Sequence, residues 1–83
     1  MKYRFPALIK EDKDEPGFVI ISFPDLLGIG SECEIGEEEE TAKEILELAL
    51  ETPHRRSIEP TDVEVLRRKF PDRKVIVVEV EVD

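Results

Sequence analysis

Three shortages in this sequence narrow the classes of protein to which it can belong. Its 83 residues include one cysteine and one histidine. Cys33 on its own allows no internal disulfide and no Cys-based metal site. The longest apolar runs, 18–21 and 75–78, have four residues each, whereas a membrane-spanning helix needs about 20. No basic start leads into an apolar stretch, so we expect no signal peptide and a cytoplasmic location.

The charge of the chain is strongly negative and unevenly distributed. Twelve basic and 21 acidic residues give a formal net charge of −9. Residues 32–51 carry a net charge of −8, whereas residues 52–74 carry a net charge of +3. Because nucleic acid is a polyanion, this balance disfavours direct nucleic-acid binding and favours a basic partner. Two interpretations remain open: a solvated acidic helix that a basic loop partly neutralises, or an acidic segment that docks a cationic protein.

The first part of the chain is predicted to form a β-hairpin followed by a short third strand. In residues 2–9, one set of alternate positions is apolar or aromatic, and the other begins with Lys2 and Arg4. This period of two is typical of a strand. Pro6 has no N–H group, so this strand is expected to be unpaired on one side or bulged. The charged segment 10–17 ends in Pro-Gly and predicts a turn into a second strand at 18–23. Residues 29–34 are long enough for a third strand.

The remainder of the chain predicts a helix, a long connection and a final strand. Apolar residues recur at spacings of three and four from Ala42 to Ala49, which is the pattern of an amphipathic helix. Pro53 disfavours a helical residue before it and ends this helix. Residues 61–64, TDVE, fit a capping box that starts one or two helical turns. Residues 75–82 alternate again and predict the last strand.

These elements follow the order β-β-β-α-β in a single domain that spans residues 1–83. A right-handed crossover through the helix is expected to bring the last strand parallel to the first. The predicted fold class is α+β: an antiparallel hairpin sheet in the order 3-2-1-4, with one crossover helix on one face and the other face largely open.

The candidate catalytic and ligand-binding patterns in the sequence are weak. Residues 12–17 begin like a calcium loop, but Phe23 stands where that loop requires a bidentate glutamate. His54 lies in a polar stretch beside two arginines, and nothing in the pattern aims it at Cys33. The acidic residues cluster on one helix face and one turn, whereas acid–base or two-metal catalysis needs carboxylates that converge from several elements. We expect no enzyme activity, no cofactor and no metal.

Five segments form a pattern that extends over nearly the whole chain. They are residues 3–9, residues 17–28 (GFVIISFPDLLG), residues 42–51, and two closing segments, 58–61 and 74–80. In this order they resemble the HicB-like antitoxin family, in which residues 17–28 are similar to the hairpin strand and residues 42–51 to the helix. The resemblance implies a partial RNase H-like fold without catalytic carboxylates. It also implies an antitoxin that binds and masks HicA, a small basic toxin with a double-stranded-RNA-binding fold that cleaves mRNA through a histidine.

Three features depart from the family pattern. Leu27 stands where the family usually has proline, and Gly36 and Glu38 alter the start of the helix. The sequence also ends at Asp83, without the C-terminal DNA-binding domain that many family members carry. We therefore expect no operator binding by this chain.

The leading hypothesis is a protein of a toxin–antitoxin system that masks a HicA-like toxin by protein–protein interaction. One alternative is an orphan HicB-like homo-oligomeric adaptor without toxin or DNA binding, because unpaired sheet edges favour self-association into an oligomer. Another alternative is a metal-dependent nuclease on the RNase H-like scaffold. The predicted partner-binding residues are acidic side chains on the outer helix face and near its rim: Asp25, Glu34, Glu37, Glu40, Glu44 and Glu47.

Overall fold

The structure is a computed structural model, and it describes residues 1–27 and 29–83. Within those ranges the elements are β1 (Lys2–Glu11), β2 (Phe18–Ser22), β3 (Gly30–Glu34), α1 (Glu38–Ala49), a 3-10 helix (Pro53–Ser57), α2 (Val63–Lys69) and β4 (Lys74–Glu81). The strands form one antiparallel sheet in the order β3-β2-β1-β4. The α+β class is therefore confirmed, with the strands in the spatial order that the sequence predicts. Gly28, in the predicted bend after β2, lies outside the described residues.

The β1–β2 hairpin ends in a turn at Pro16 and Gly17. Gly17 has a φ of 90°, a left-handed backbone conformation that glycine adopts without steric cost. β2 pairs only with the β1 residues from Leu8 to Glu11, so Pro6 has a strand partner on the β4 side alone. A residue without an N–H group is tolerated at such a position. The one-sided pairing predicted for Pro6 is therefore confirmed.

The direction of the last strand and the number of helices differ from the sequence prediction. The predicted parallel pairing is wrong, because β4 runs antiparallel to β1 over eight residue pairs. Glu34 at the end of β3 lies opposite Phe18, and Lys74 at the start of β4 lies opposite Ile9, so β3 ends and β4 begins at the same end of the sheet. The chain therefore crosses the sheet once in α1 and returns through the 3-10 helix and α2. The predicted fold has a single crossover helix and lacks this return passage.

The main core lies between α1 and one face of the sheet. The period of two in the strands and the spacing of three and four in α1 each place one apolar surface toward this layer. Cys33 of β3 belongs to it and is buried. The buried members of the core are Phe5, Ala7, Ile9, Val19, Ile21, Phe23, Leu26, Cys33, Ala42, Leu46, Ala49, Leu50, Val78 and Val80.

The opposite face of the sheet is only partly covered. Strand alternation turns Leu8 toward this face, and Leu8 is buried there outside the main core. Leu66, the one buried residue of α2, also lies outside the main core. On the same face, Ile20 and Val77 remain 42% and 54% exposed. The largely open side predicted from the sequence therefore holds around Ile20 and Val77 but not around Leu8.

Candidate functional site

α1 presents a continuous row of carboxylates to solvent. Its buried residues, Ala42, Leu46 and Ala49, pack toward the sheet, so the opposite side of the helix points outward. The first turn is also acidic, where the positive end of the helix dipole favours carboxylates. We call the outward row the acidic face; its members are all exposed and are Glu37, Glu40, Glu44, Glu47 and Glu51.

A tight turn places Glu34 beside the N-terminal end of the acidic face. Gly36 has a φ of 103°, which lets the chain reverse between β3 and α1. The backbone N–H of Glu37 donates to the carbonyl oxygen of Glu34 at 3.1 Å. The Glu38 carboxylate accepts a hydrogen bond from the Gly36 N–H. All of the predicted partner-binding residues except Asp25 therefore lie on or beside one surface.

Among the residues that the structure describes, no cation forms an ion pair with the acidic face. Two arginines of the basic segment after α1 bind the backbone at the end of that helix. Arg55 donates to the carbonyl oxygen of Ala49 at 3.4 Å, and Arg56 donates to that of Leu50 at 2.6 Å. Cations at the C-terminal end of a helix satisfy its last carbonyls and complement its dipole. The carboxylates of the acidic face are therefore open to the cations of an external partner.

Leu48 is an exposed apolar side chain at the edge of the acidic face. It is 65% exposed, and a helical step of 100° per residue places it beside Glu44 and Glu51. A shallow groove next to it is lined by Ile29 and Ile45 on the side of β3. Sequence reasoning missed Leu48, although the same helical spacing that defined the buried stripe leaves this leucine outside it. The surface therefore combines carboxylates with one apolar anchor.

Asp25 lies in the loop between β2 and β3 and has a structural partner. Its carboxylate accepts hydrogen bonds from the backbone N–H of Thr61, at 2.9 Å, and from the Thr61 hydroxyl. These bonds tie the β2–β3 loop to the connection before α2. Because Thr61 is occupied in this way, Asp62 caps α2 by accepting from the N–H of Glu64 at 2.8 Å. The capping residue is thus one position later than the capping-box pattern places it.

We expect Asp25→Asn to lower the free energy of unfolding by about 1–3 kcal/mol, because half-buried hydrogen bonds to a charged acceptor are lost or weakened. Urea unfolding at neutral pH measures the change. Asp14→Asn is the matched control, since Asp14 is exposed in the β1–β2 turn. Equal unfolding midpoints for the two variants would show that the Asp25–Thr61 contact contributes no stability.

The two candidate nucleophilic groups lie in different environments. Burial raises the pKa of the Cys33 thiol above its ordinary value of 9.0, so this thiol stays protonated at neutral pH. His54 is exposed in the 3-10 helix. Within residues 1–27 and 29–83, no three His, Cys, Asp or Glu side chains come together to hold a metal ion. None of the helices in these ranges is long and apolar enough to cross a membrane.

Asp12 and Glu32 form a carboxyl–carboxyl contact near the end of the β1–β2 hairpin. The hydrogen bond between their side chains raises the pKa of Glu32 above its ordinary value of 4.5 and lowers the pKa of Asp12 below 3.8. The backbone N–H of Asp14 also donates to the Asp12 carboxylate, at 3.0 Å. Asp12 is therefore the more readily ionised carboxyl of the pair.

We expect Glu32→Gln to raise the free energy of unfolding at pH 7 relative to the wild type. The pKa of Glu32 is higher in the folded state than in the unfolded state. At a pH above the folded-state pKa, ionised Glu32 therefore destabilises the folded state, and protonation at lower pH removes this effect. The advantage of the glutamine variant should therefore shrink as the pH falls through the raised pKa of Glu32 toward 4.5. Urea unfolding at several pH values tests this, with Glu34→Gln on the same strand as control. A pH-independent difference would contradict it.

Comparison with known proteins identifies no relative. No protein-family model, no curated protein and no solved structure gives a match to the chain. The resemblance of its segments to the HicB-like antitoxin family therefore stays a prediction from those residues.

Proposed function

We propose that this chain is an antitoxin-like protein that binds and masks a small basic HicA-type mRNA-cleaving toxin through the acidic face of α1. The observation that carries the proposal is a row of exposed carboxylates on one helix face that take part in none of the ion pairs found in residues 1–27 and 29–83. The resemblance of five segments to the HicB-like family supports the choice of partner. The proposal includes the partial RNase H-like fold implied by that resemblance.

Electrostatics explain how such a face masks an RNA-cleaving protein. A protein that binds RNA presents lysines and arginines that neutralise phosphates. A row of carboxylates offers the same cations an alternative negative surface, so that antitoxin and RNA compete for one site. Complementary charge also speeds the encounter between the two proteins. The net charge of −8 over residues 32–51 gives this chain a strong field of the required sign.

The apolar anchor gives the interface a centre. Binding energy in protein interfaces is concentrated in a few packed side chains that polar groups surround. Leu48 and the neighbouring groove fit the first role, and the carboxylates of Glu44, Glu47 and Glu51 fit the second. An isolated exposed leucine needs no explanation. Its position against the acidic face is what makes it relevant to binding.

A tagged pull-down from the native host, at low and at moderate salt, tests the proposal. We expect near-equal recovery of one small basic protein that cleaves mRNA and carries a histidine needed for cleavage. Mass spectrometry identifies the protein, and a cleavage assay with a reporter mRNA establishes its activity. Recovery of no protein, or of a basic protein without RNase activity, would contradict the antitoxin function.

One observation favours the orphan homo-oligomeric adaptor as a second candidate. β4 is an edge strand of the sheet, and Val77 on it is 54% exposed. An adaptor of this kind would be recovered from the pull-down only with copies of itself. The two candidates therefore differ in the first experiment.

A further inference from the structure

The two edges of the sheet differ in how well they resist pairing with another strand. Unpaired edge strands expose backbone N–H and C=O groups, and proteins blunt them with short length and charge. β3 has five residues and carries Glu32 and Glu34. β4 has eight residues, KVIVVEVE, and its first half is apolar after Lys74. β3 is thus a protected edge, and β4 is the edge open to a partner.

Among the described residues, β4 pairs with no strand other than β1. The order β3-β2-β1-β4 places it at the end of the sheet. Apart from the bonds within helices and between strands, no backbone hydrogen bond of the described residues involves residues 74–81. The next residue, Val82, donates its N–H to the Met1 carbonyl oxygen at 2.9 Å. The outer row of β4 backbone groups is therefore available for a ladder with another strand.

We propose that a second copy of this chain pairs with the β4 edge, antiparallel and about a two-fold axis that passes between the two Val77 residues. Residues directly opposite each other in an antiparallel pair share a face of the sheet. The most exposed valine of β4 then packs against its own counterpart. The result is one continuous sheet across the two copies.

This register sets no like charges directly opposite each other. With Val77 at the axis, Val75 lies opposite Glu79 of the second copy, and Arg73 lies opposite its Glu81. A shift that places Glu79 at the axis would set the two Glu79 carboxylates against each other, which is unfavourable. The same repulsion blocks self-pairing of β3 centred on Glu32. Antiparallel pairing of β4 with its own copy therefore keeps the acidic second halves of the two strands apart.

Arg73 is positioned for the ion pair that this register creates. It directly precedes β4, and its guanidinium lies over the Phe70 ring, 5.1 Å from the centroid. The ion pairs in the part of the chain that the structure describes do not include Arg73. Contact with Phe70 holds the side chain while leaving its charge for a carboxylate of the second copy.

Size-exclusion chromatography with light scattering, over a roughly hundredfold range of concentration, tests this dimer. We expect wild-type protein to approach twice its 9.6 kDa mass and Val77→Lys to remain at 9.6 kDa, because two ammonium groups would meet at the axis. Ile20→Lys is the matched control: Ile20 is exposed on the same sheet face but lies on an inner strand, so it should still dimerise. A monomeric wild type, or dissociation by Ile20→Lys and not by Val77→Lys, overturns the proposal.

A charge exchange provides a second test that does not depend on the fold of the Val77 variant. Arg73→Glu and Glu81→Arg should each weaken the dimer about tenfold, and the double variant should restore it, because the pair is re-formed with reversed sign. Loss of dimer in the double variant equal to the sum of the single losses overturns the register. The edge proposal does not rest on the antitoxin function, since it uses β4 and leaves the acidic face free.

Discussion

Leu46→Ala is expected to lower the free energy of unfolding by about 3–5 kcal/mol, because Leu46 is completely buried and its truncation leaves a cavity. A domain of 83 residues has a total stability of about 4–12 kcal/mol, so this single change removes a large fraction of it. The reason lies in the architecture. α1 is held to the sheet mainly by the stripe that contains Ala42, Leu46 and Ala49, and Leu46 is the largest of these side chains.

Leu48→Ala is the matched control for this measurement. It deletes the same atoms from the same helix two residues away, but Leu48 is 65% exposed, so we expect a loss of at most about 0.5 kcal/mol. Urea unfolding of both variants, followed by circular dichroism, gives the two values. Similar losses in the two variants would mean that α1 is not packed with Leu46 inward, and the orientation of the acidic face would then be wrong as well.

The second large effect concerns binding. We expect the double variant Glu40→Lys and Glu44→Lys to bind the basic toxin at least about a hundredfold more weakly at moderate salt, because two attractive charge pairs become repulsive. Thermal stability should change little, since both side chains are exposed and belong to no ion pair of the chain among the described residues. Isothermal titration calorimetry with the toxin recovered from the host, alongside thermal unfolding, measures the two quantities.

A control with the same change in net charge separates the acidic face from a general charge effect. Glu59 and Asp72 are exposed and lie outside α1. Glu59→Lys together with Asp72→Lys should weaken toxin binding only slightly, and only at low salt where long-range attraction persists. An equal loss of affinity in the two double variants would show that binding depends on total charge and not on this face.

Local patterns predict much of the fold, but the return path of the chain is not a local property. The periods of two and of three to four identify the strands and α1, and Pro6 indicates correctly where β2 does not reach. The predicted direction of β4 is wrong because that direction depends on how many elements cross the sheet between β3 and β4. Residues 61–64 carry the signal of a helix start. Whether the helix that follows returns the chain across the sheet depends on tertiary contacts such as the Asp25–Thr61 hydrogen bonds.

The candidate site shows a similar division. Helical spacing places the glutamates of the acidic face together, and the structure adds Glu34 through the turn at Gly36. Asp25 looks the same as any surface acid in the sequence, because its partner Thr61 is 36 residues away. The hydrogen bonds of Arg55 and Arg56 to the last carbonyls of α1 could not be predicted from the sequence either. A basic run after an acidic helix indicates ion pairs between side chains instead.

Inhibition of mRNA cleavage by the purified chain is the direct test of the proposed antitoxin function. A fixed amount of the basic toxin is titrated with wild-type chain, with the Glu40→Lys and Glu44→Lys variant, and with the Glu59→Lys and Asp72→Lys control, while cleavage of a reporter mRNA is followed. We expect wild type and control to abolish cleavage at near-equal amounts of chain and toxin, whereas the acidic-face variant should not. Full inhibition by that variant, or none by the wild type, would contradict it.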